Sequence, residues 1–422
     1  LDDVNRPKTI GIIGGGPAGL SIAKLLNDTG TYKPVVFEAL GEVGGKSYSY
    51  RHGSNIVEMG TCYATFSHKI TNRWMKSMRM PMGFLGEQRF DGADFMDFVK
   101  SGYGPSLPKQ VMTYWTAKRR LEKALARTRP EQSALDEAAL PIQTWLKERN
   151  LGKIEKFMLR STTNIAYGFI DETPTVQALR WNDMKLIITG ILKQLKMPLE
   201  GWTEFWRRVS LEFDIRLNQR IAHVDRTANG VTLTTANGLT ETFDEIVCAI
   251  PLDEFAKITE PTEDEKYVAS SVIWNGYTTT LVAVDNWFND VHVEAYLDSV
   301  LPGAARGQLL SARYEGGGDD FGGDLYLTGQ LSGDYTGPEL QELLRTDITK
   351  YGGTVKNIIL QKLWKYNAQY KPEAIRDGLM TRLETMQGAQ RTWYTGAIYS
   401  HEAVSHIVNF NAELVRKMHS PG

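Results

Sequence analysis

Lys8-Thr-Ile-Gly-Ile-Ile-Gly-Gly-Gly-Pro-Ala-Gly-Leu20, followed by Phe37-Glu38 and then Gly44-Gly45-Lys46, carries the spacing of a nucleotide-binding βαβ unit. The apolar, β-branched run at 9–13 has the length of a buried parallel strand and stops at glycines that open a helix. Gly14, Gly16 and Gly19 fit G-x-G-x-x-G: the first for a tight turn, the second for close approach of a pyrophosphate, the third for close packing of helix on strand. Pro17 suits a first helical turn, and the run Ala18, Leu20, Ile22, Ala23, Leu25, Leu26 carries the helix to Gly30. Its free N–H groups and positive dipole end would face phosphates. A second strand, Val35-Val36-Phe37, ends at Glu38, where an acid can accept hydrogen bonds from a ribose diol. Strand, glycines, helix, strand and acid in register predict a bound dinucleotide. The alternative is a glycine turn in an α/β domain that binds nothing.

Four further blocks choose among dinucleotides. Gly44-Gly45-Lys46, then Glu58-Met59-Gly60, the Asp244-Glu-Ile-Val-Cys-Ala-Ile-Pro251 strand and Arg391-Thr-Trp-Tyr-Thr-Gly396-Ala397 resemble the flavin-containing amine oxidoreductase superfamily. The resemblance implies FAD. It places Gly44 and Gly45 against the pyrophosphate with Lys46 behind them, Met59 and Gly60 beside the isoalloxazine ring, and the backbone of Val224 at the adenine. Gly396 and Ala397 fall in the last contacting turn, where most relatives carry an acid in place of Ala397. Lys46 supplies a positive charge where many members have the two-pronged arginine. Cys62 and Cys248 lie away from the position of the covalent thioether of some relatives, so non-covalent FAD is expected.

Composition narrows the partners. A chain of 422 residues with a formal charge of −2 can hold two or three cores and has no basic excess for nucleic acid. Two cysteines make no disulfide framework, and neither they nor the seven histidines show metal-ligand spacing. Residues 184–199 are apolar but broken by Lys185, Lys193 and Lys196, which predicts a core or lid helix rather than a membrane span and leaves transient membrane contact open. The first residue, Leu1, is compatible with a removed signal peptide or a trimmed start, and Asn27-Asp28-Thr29 is a sequon at a helix end. Cytoplasmic and secreted locations both stay open, as does the oligomeric state.

Because the nucleotide motifs fall at the start, middle and end, the fold class expected is α/β: a discontinuous Rossmann-type FAD-binding domain with an inserted mixed β-sheet substrate domain and a helical cap. Residues 1–64, 199–260 and 385–422 would build the first. Residues 65–198 would be largely helical, with helices over 109–127 and 140–151, and 261–384 would carry the mixed sheet. Ile221-Ala-His-Val224, Asn229-Gly230 and the alternating residues after them predict a hairpin. The stretch 315–324, glycine-rich and acidic, reads as a mobile hairpin connection.

Three functions compete. Leu363-Trp364-Lys-Tyr366, Tyr370-Lys-Pro, Met386-Gln387-Gly388, Val404-Ser405-His406 and Ala166-Tyr167-Gly168-Phe-Ile-Asp171 resemble the bacterial FAD-dependent polyunsaturated fatty acid (linoleate) isomerases. That resemblance implies a long-chain unsaturated acid from which hydride passes to flavin N5 and returns to another carbon, with no side chain needed as acid or base. It also implies an arginine anchor for the carboxylate. Arg89, 31 residues after Glu58, is the candidate, against an ordinary exposed arginine, and Ile165 stands where the relatives cover that arginine with phenylalanine. The second reading is an amine or other oxidase. Many such enzymes place a lysine in a central strand beside N5, and Thr278 stands at that place here. Trp364, Tyr366 and Tyr167 are candidate substrate walls, or ordinary core residues. The third is a lipid-binding chaperone on the same fold, which the intact glycines and Glu38 disfavour. His406, close to a helix start that would approach the flavin pyrimidine, is a cofactor contact or a capping histidine. No G-x-S-x-G elbow supports a hydrolase.

Overall fold

The computed structural model describes residues 6–290 and 292–419. Leu1, on which the question of a leader turns, lies outside the described residues. Strand Lys8–Ile13 takes the middle of a five-stranded parallel sheet in the order Thr392–Tyr394, Glu245–Cys248, Lys8–Ile13, Tyr32–Phe37, Asp214–Arg216. Ile12 stands level with Val36 on one side and Val247 on the other. Three distant pieces of chain therefore meet in one sheet.

Both faces of that sheet are covered, which is why its strands read as continuous apolar runs. Helices Pro17–Thr29 and Val404–His419 pack on one face, where Ile10, Ile12, Ile22, Leu26, Val247 and Leu414 are fully or almost fully buried. Removing each such side chain from water contributes roughly 1.5–3 kcal/mol. The other face meets an antiparallel meander, Ile221–Thr227, Gly230–Thr235 and Thr240–Phe243, whose first turn is the hairpin predicted at Asn229-Gly230. A Cβ at Gly11 would come within 2.8 Å of Leu233 and 2.9 Å of Phe243, so the strand lacks a side chain where the meander presses closest.

A buried ion pair ties these pieces together. Arg226 of the meander donates to Glu265 (Nη1 to Oε1, 2.6 Å), which also accepts the Tyr394 hydroxyl from the last strand.

The second sheet has seven strands in the order Thr354–Trp364, Tyr277–Asp285, Asp324–Leu331, Leu309–Gly316, His292–Ala295, Glu87–Phe90, Ala93–Asp94. All its pairings are antiparallel except His292–Ala295 with Glu87–Phe90. Within the stretch 315–324, residues 317–323 form the connection between two of these strands, with a 3-10 turn at Asp319–Phe321. Helices Leu107–Leu125, Ile142–Lys147, Gly152–Ser161 and Thr175–Trp181 share a core that includes Trp145, Phe157 and Leu179 and packs against this sheet at Ala295 and Leu310. The helix predicted over 184–199 is shorter: Met184–Ile191 ends, Lys193 turns to φ +53°, and Lys196–Pro198 pairs as a strand with Met82–Phe84. Pro198 could not have continued a helix. Among the described residues no helix is long and apolar enough to cross a membrane.

Candidate functional site

One cavity runs from the glycine turns of the parallel sheet to the inner face of the seven-stranded sheet, and residues of both sheets and of the helical layer line it. At its first end stand Gly14, Gly16, Pro17, Ala18 and Glu38. Gly14 has φ +112° and Gly45 φ +52°, backbone that glycine adopts without strain. A Cβ on Gly45 would lie 3.0 Å from the Gly16 Cα, so the two turns face each other across a cradle of bare backbone that side chains would fill. Gly19 sits behind it, outside the lining; a Cβ there would fall 1.9 Å from the Gly14 carbonyl oxygen, so only glycine lets the helix start this close to the strand end. Gly44 shapes the second turn, its N–H donating to the Gly15 carbonyl. The Glu38 carboxylate is fixed at the rim by the N–H groups of Gly15 (2.7 Å) and Leu40 (2.8 Å). Bare backbone at a helix N-terminus, with an acid at the next strand end, fits the pyrophosphate and ribose of a dinucleotide.

Midway along, Gly45, Lys46, Gly60, Gly396 and Ala397 line the cavity, as does the start of helix Val404–His419. The Lys46 ammonium is paired with the buried Glu402 and lies 5.4 Å from the Tyr366 ring and 5.5 Å from the Trp274 ring. Tyr167 and Tyr366 stack with centroids 5.5 Å apart and planes 17° apart, and Trp181 stands edge-on to Tyr167. Burial raises both tyrosine hydroxyls far above their ordinary range, so they are neutral.

Several expected contacts are placed elsewhere. Val224 lies inside the hairpin with its N–H donating to the Ile258 carbonyl (2.7 Å), so that donor is not free for an adenine, and its carbonyl already accepts from Thr259. His406 is turned away from the cavity onto the Arg180 carbonyl (2.8 Å), fastening its helix to the end of helix Thr175–Trp181. Met59 and Trp364 act one layer back: the Met59 carbonyl accepts the Trp364 indole N–H (2.9 Å) and the Thr279 hydroxyl, which holds Gly60 at the wall. Strand Tyr277–Asp285 presents Tyr277 and Thr279 to the cavity, while Thr278 faces the other way and bonds Ser332. The place expected for Thr278 thus belongs to its neighbour, and it is still not a lysine.

Arg89 is a surface residue. It pairs with Glu87 (2.8 Å) and Asp290 (3.4 Å) and does not line the cavity, because its strand is near the sheet edge and its side chain leaves on the outer face. Its neighbour Gln88 faces inward and accepts from Arg160, which does line the cavity together with Arg313, Tyr63, Leu85, Ile165 and Val293. Arg160 and Arg313 join the site without a motif to mark them, and Glu58 joins it from the Glu58-Met59-Gly60 block. Alternation along Leu309–Gly316 marks Ser311 and Arg313 as one face, but nothing local marks Arg160, which at the end of a helix reads as a dipole partner.

The buried Glu58 carboxyl is pushed up to about 7 by burial, against the Trp202 N–H (2.9 Å) and Ser49 hydroxyl (2.9 Å) that favour its charged form. His68 on the same wall is driven down to about 3 by burial and stays neutral. The wall at this end is thus mostly apolar and aromatic, and its charged groups are two guanidiniums and Glu58, which changes charge near neutral pH.

Comparison with known proteins agrees with this architecture. Residues 17–349 match the family described as flavin containing amine oxidoreductase. The chain is 24% identical to polyamine oxidase 4 of Oryza sativa subsp. japonica over 262 residues, 58% of this chain and 52% of that protein. It is 20% identical to the polyenoic fatty acid isomerase of Ptilota filicina over 258 residues, 53% of this chain and 51% of that protein. The chain spans about half the length of the curated relatives it matches. Among solved structures, the CLA-producing fatty acid isomerase from P. acnes superposes with a TM-score of 0.81 at 21% identity, covering 99% of this chain and 100% of the other, a likeness of fold. The match across most of the chain, on a fold whose glycine turns form a cradle of bare backbone, makes this protein a member of the flavin containing amine oxidoreductase family, and a flavin is the cofactor that membership implies.

Proposed function

We propose that the chain binds FAD non-covalently and catalyses hydride chemistry on an apolar unsaturated substrate, a long-chain polyunsaturated acid, shifting a double bond without net oxidation. Bound FAD supplies a two-electron centre able to accept and return hydride. The observation that carries the reading is the cavity-facing side of strand Tyr277–Asp285, where Tyr277 and a hydrogen-bonded Thr279 stand in place of the lysine that assists oxygen in many oxidases of this family.

The chain's own groups fit that role. Gly14, Gly16, Glu38, Gly44 and Gly45 would hold the dinucleotide, Gly60, Gly396 and Ala397 would border the ring, and the start of helix Val404–His419 would favour negative charge beside it. Neutral Tyr167, Tyr366 and Ile165 exclude water from the reacting carbons and offer no base. An oxidase acting on an amine is the second reading, favoured by the aromatic pair and the likeness to a polyamine oxidase. Against it, the Tyr366 and Trp274 faces that would attract a substrate ammonium already carry Lys46.

The test is product analysis in air. Incubation with linoleate or α-linolenate is expected to give a conjugated diene without hydrogen peroxide. Peroxide formed one-for-one with product would overturn the reading in favour of an oxidase.

A further inference from the structure

Two guanidinium groups on the cavity wall have hydrogen-bonding capacity that the protein leaves unused. Arg160 is half-buried at the end of helix Gly152–Ser161; its Nη2 donates to the neutral side chain of Gln88, and its Nη1 is buried without a partner. Among the described residues no carboxylate lies within ion-pairing distance of it. Arg313, reaching the same wall from strand Leu309–Gly316, donates through Nε to Glu315 and through Nη1 to the Cys62 sulfur (2.5 Å), while its Nη2 is buried without a partner. Arg313 is near enough for its charge to act on Arg160, and with burial it lowers Arg160 to about 10. Burial also works against the Arg313 charge, but Cys62 and Glu315 outweigh it and hold that group above its ordinary range. Glu58 bonds neither guanidinium, since its two oxygens accept from Trp202 and Ser49, and burial keeps it protonated below about pH 7; above that its charge acts on Arg313.

A buried guanidinium without a counter-ion is strongly destabilising, so a fold that keeps one beside a ligand cavity is incomplete without an anion. We infer that Arg160 Nη1 and Arg313 Nη2 form an anion subsite at the substrate end of the cavity, and that its ligand is the terminal carboxylate of an apolar chain. Charge selects the class: Glu315 balances Arg313, leaving one uncompensated positive charge, which suits a monoanion better than a phosphate dianion. The surroundings select the rest, because Leu85, Val293 and Ile165 flank the pair with apolar surface. A cationic amine entering head-first would meet like charge. The subsite rests on the proposed reading of the cavity as a substrate site, and it moves the anchor from Arg89 to Arg160.

The experiment uses flavin-loaded enzyme and three saturated probes that cannot react: dodecanoate, methyl dodecanoate and dodecylamine, with binding read from the flavin absorption spectrum. Dodecanoate is expected to bind about 10- to 100-fold more tightly than the ester or amine, the range for hydrogen bonds to a charged group. Arg160→Met is expected to bring the acid down to the level of the ester while leaving the ester within about twofold, and Arg160→Lys to recover part of the preference. Equal weakening of acid and ester by Arg160→Met, or a wild-type enzyme that ranks the ester level with the acid, would overturn the inference. Should Arg160→Met not fold, the wild-type ranking decides alone. Because none of the probes turns over, an acid preference without diene formation from unsaturated acids would remove the isomerase reading and leave the subsite standing.

Discussion

Replacing Glu58 by glutamine is expected to raise stability at alkaline pH and leave it nearly unchanged in acid. The carboxyl is fully buried, and burial moves it from an ordinary 4.5 to about 7. In the unfolded chain it titrates at its ordinary value, so between these two pH values the folded protein binds the proton that the unfolded chain has released. A raised carboxyl therefore contributes stability that is complete below about pH 4.5 and lost as pH rises through about 7, and the difference corresponds to about 3 kcal/mol. Glutamine keeps the geometry: its oxygen can accept the Trp202 N–H, and its amide can donate to the Ser49 hydroxyl, which already accepts from Thr203 (3.1 Å). With roughly 2 cal/mol/K of unfolding entropy per residue, a chain of 422 residues converts 3 kcal/mol into a shift of about 3–4 °C. The assay is thermal unfolding of wild type and Glu58→Gln at about pH 5 and about pH 8, comparing the change in Tm between the two conditions so that other titrations cancel. A Tm difference of the same size and sign at both pH values would refute the reasoning, since it would mean that Glu58 ionises in the folded protein at its ordinary pH.

Gly19→Ala should reduce flavin affinity by about tenfold or more, because the added methyl falls on the Gly14 carbonyl and forces the helix N-terminus off the cradle; flavin retained through gel filtration measures it. Glu265→Ala should cost about 3–5 kcal/mol in urea unfolding, by leaving Arg226 buried without its partner. Arg89→Ala should leave dodecanoate binding unchanged within about twofold, as its ion pairs are on the outer surface.

What was legible in the sequence was local. The glycine block is legible because its requirements are short-range: a left-handed turn at Gly14 and contact between Gly19 and Gly14, five residues before it, leave no other residue type. The hairpin at Asn229-Gly230 was legible for the same reason. Substrate-end residues depend on which side of a strand or helix meets a distant segment, and there the reading slipped by single positions. The cavity-facing threonine is Thr279, not the expected Thr278, and one residue along a strand reverses the face. Of the two roles the sequence leaves open for Arg89, the structure gives the exposed one, and its neighbour Gln88 is the residue that turns in to hold Arg160. Met59, expected beside the ring, and Trp364, a candidate substrate wall, are bonded to each other one layer behind the cavity wall and fix Gly60. Arg160 itself carries no sequence signal, since its significance is the lack of a counter-ion and of an Nη1 partner after folding.

The central claim is that hydride leaves the substrate and returns to it. Its most direct test is anaerobic mixing of the yellow enzyme with a polyunsaturated fatty acid, following conjugated-diene absorbance and the flavin spectrum together. The account predicts many turnovers of diene with the flavin remaining oxidised at the end. Stoichiometric bleaching of the flavin, no diene beyond one equivalent, and recovery of colour on admitting air would contradict it.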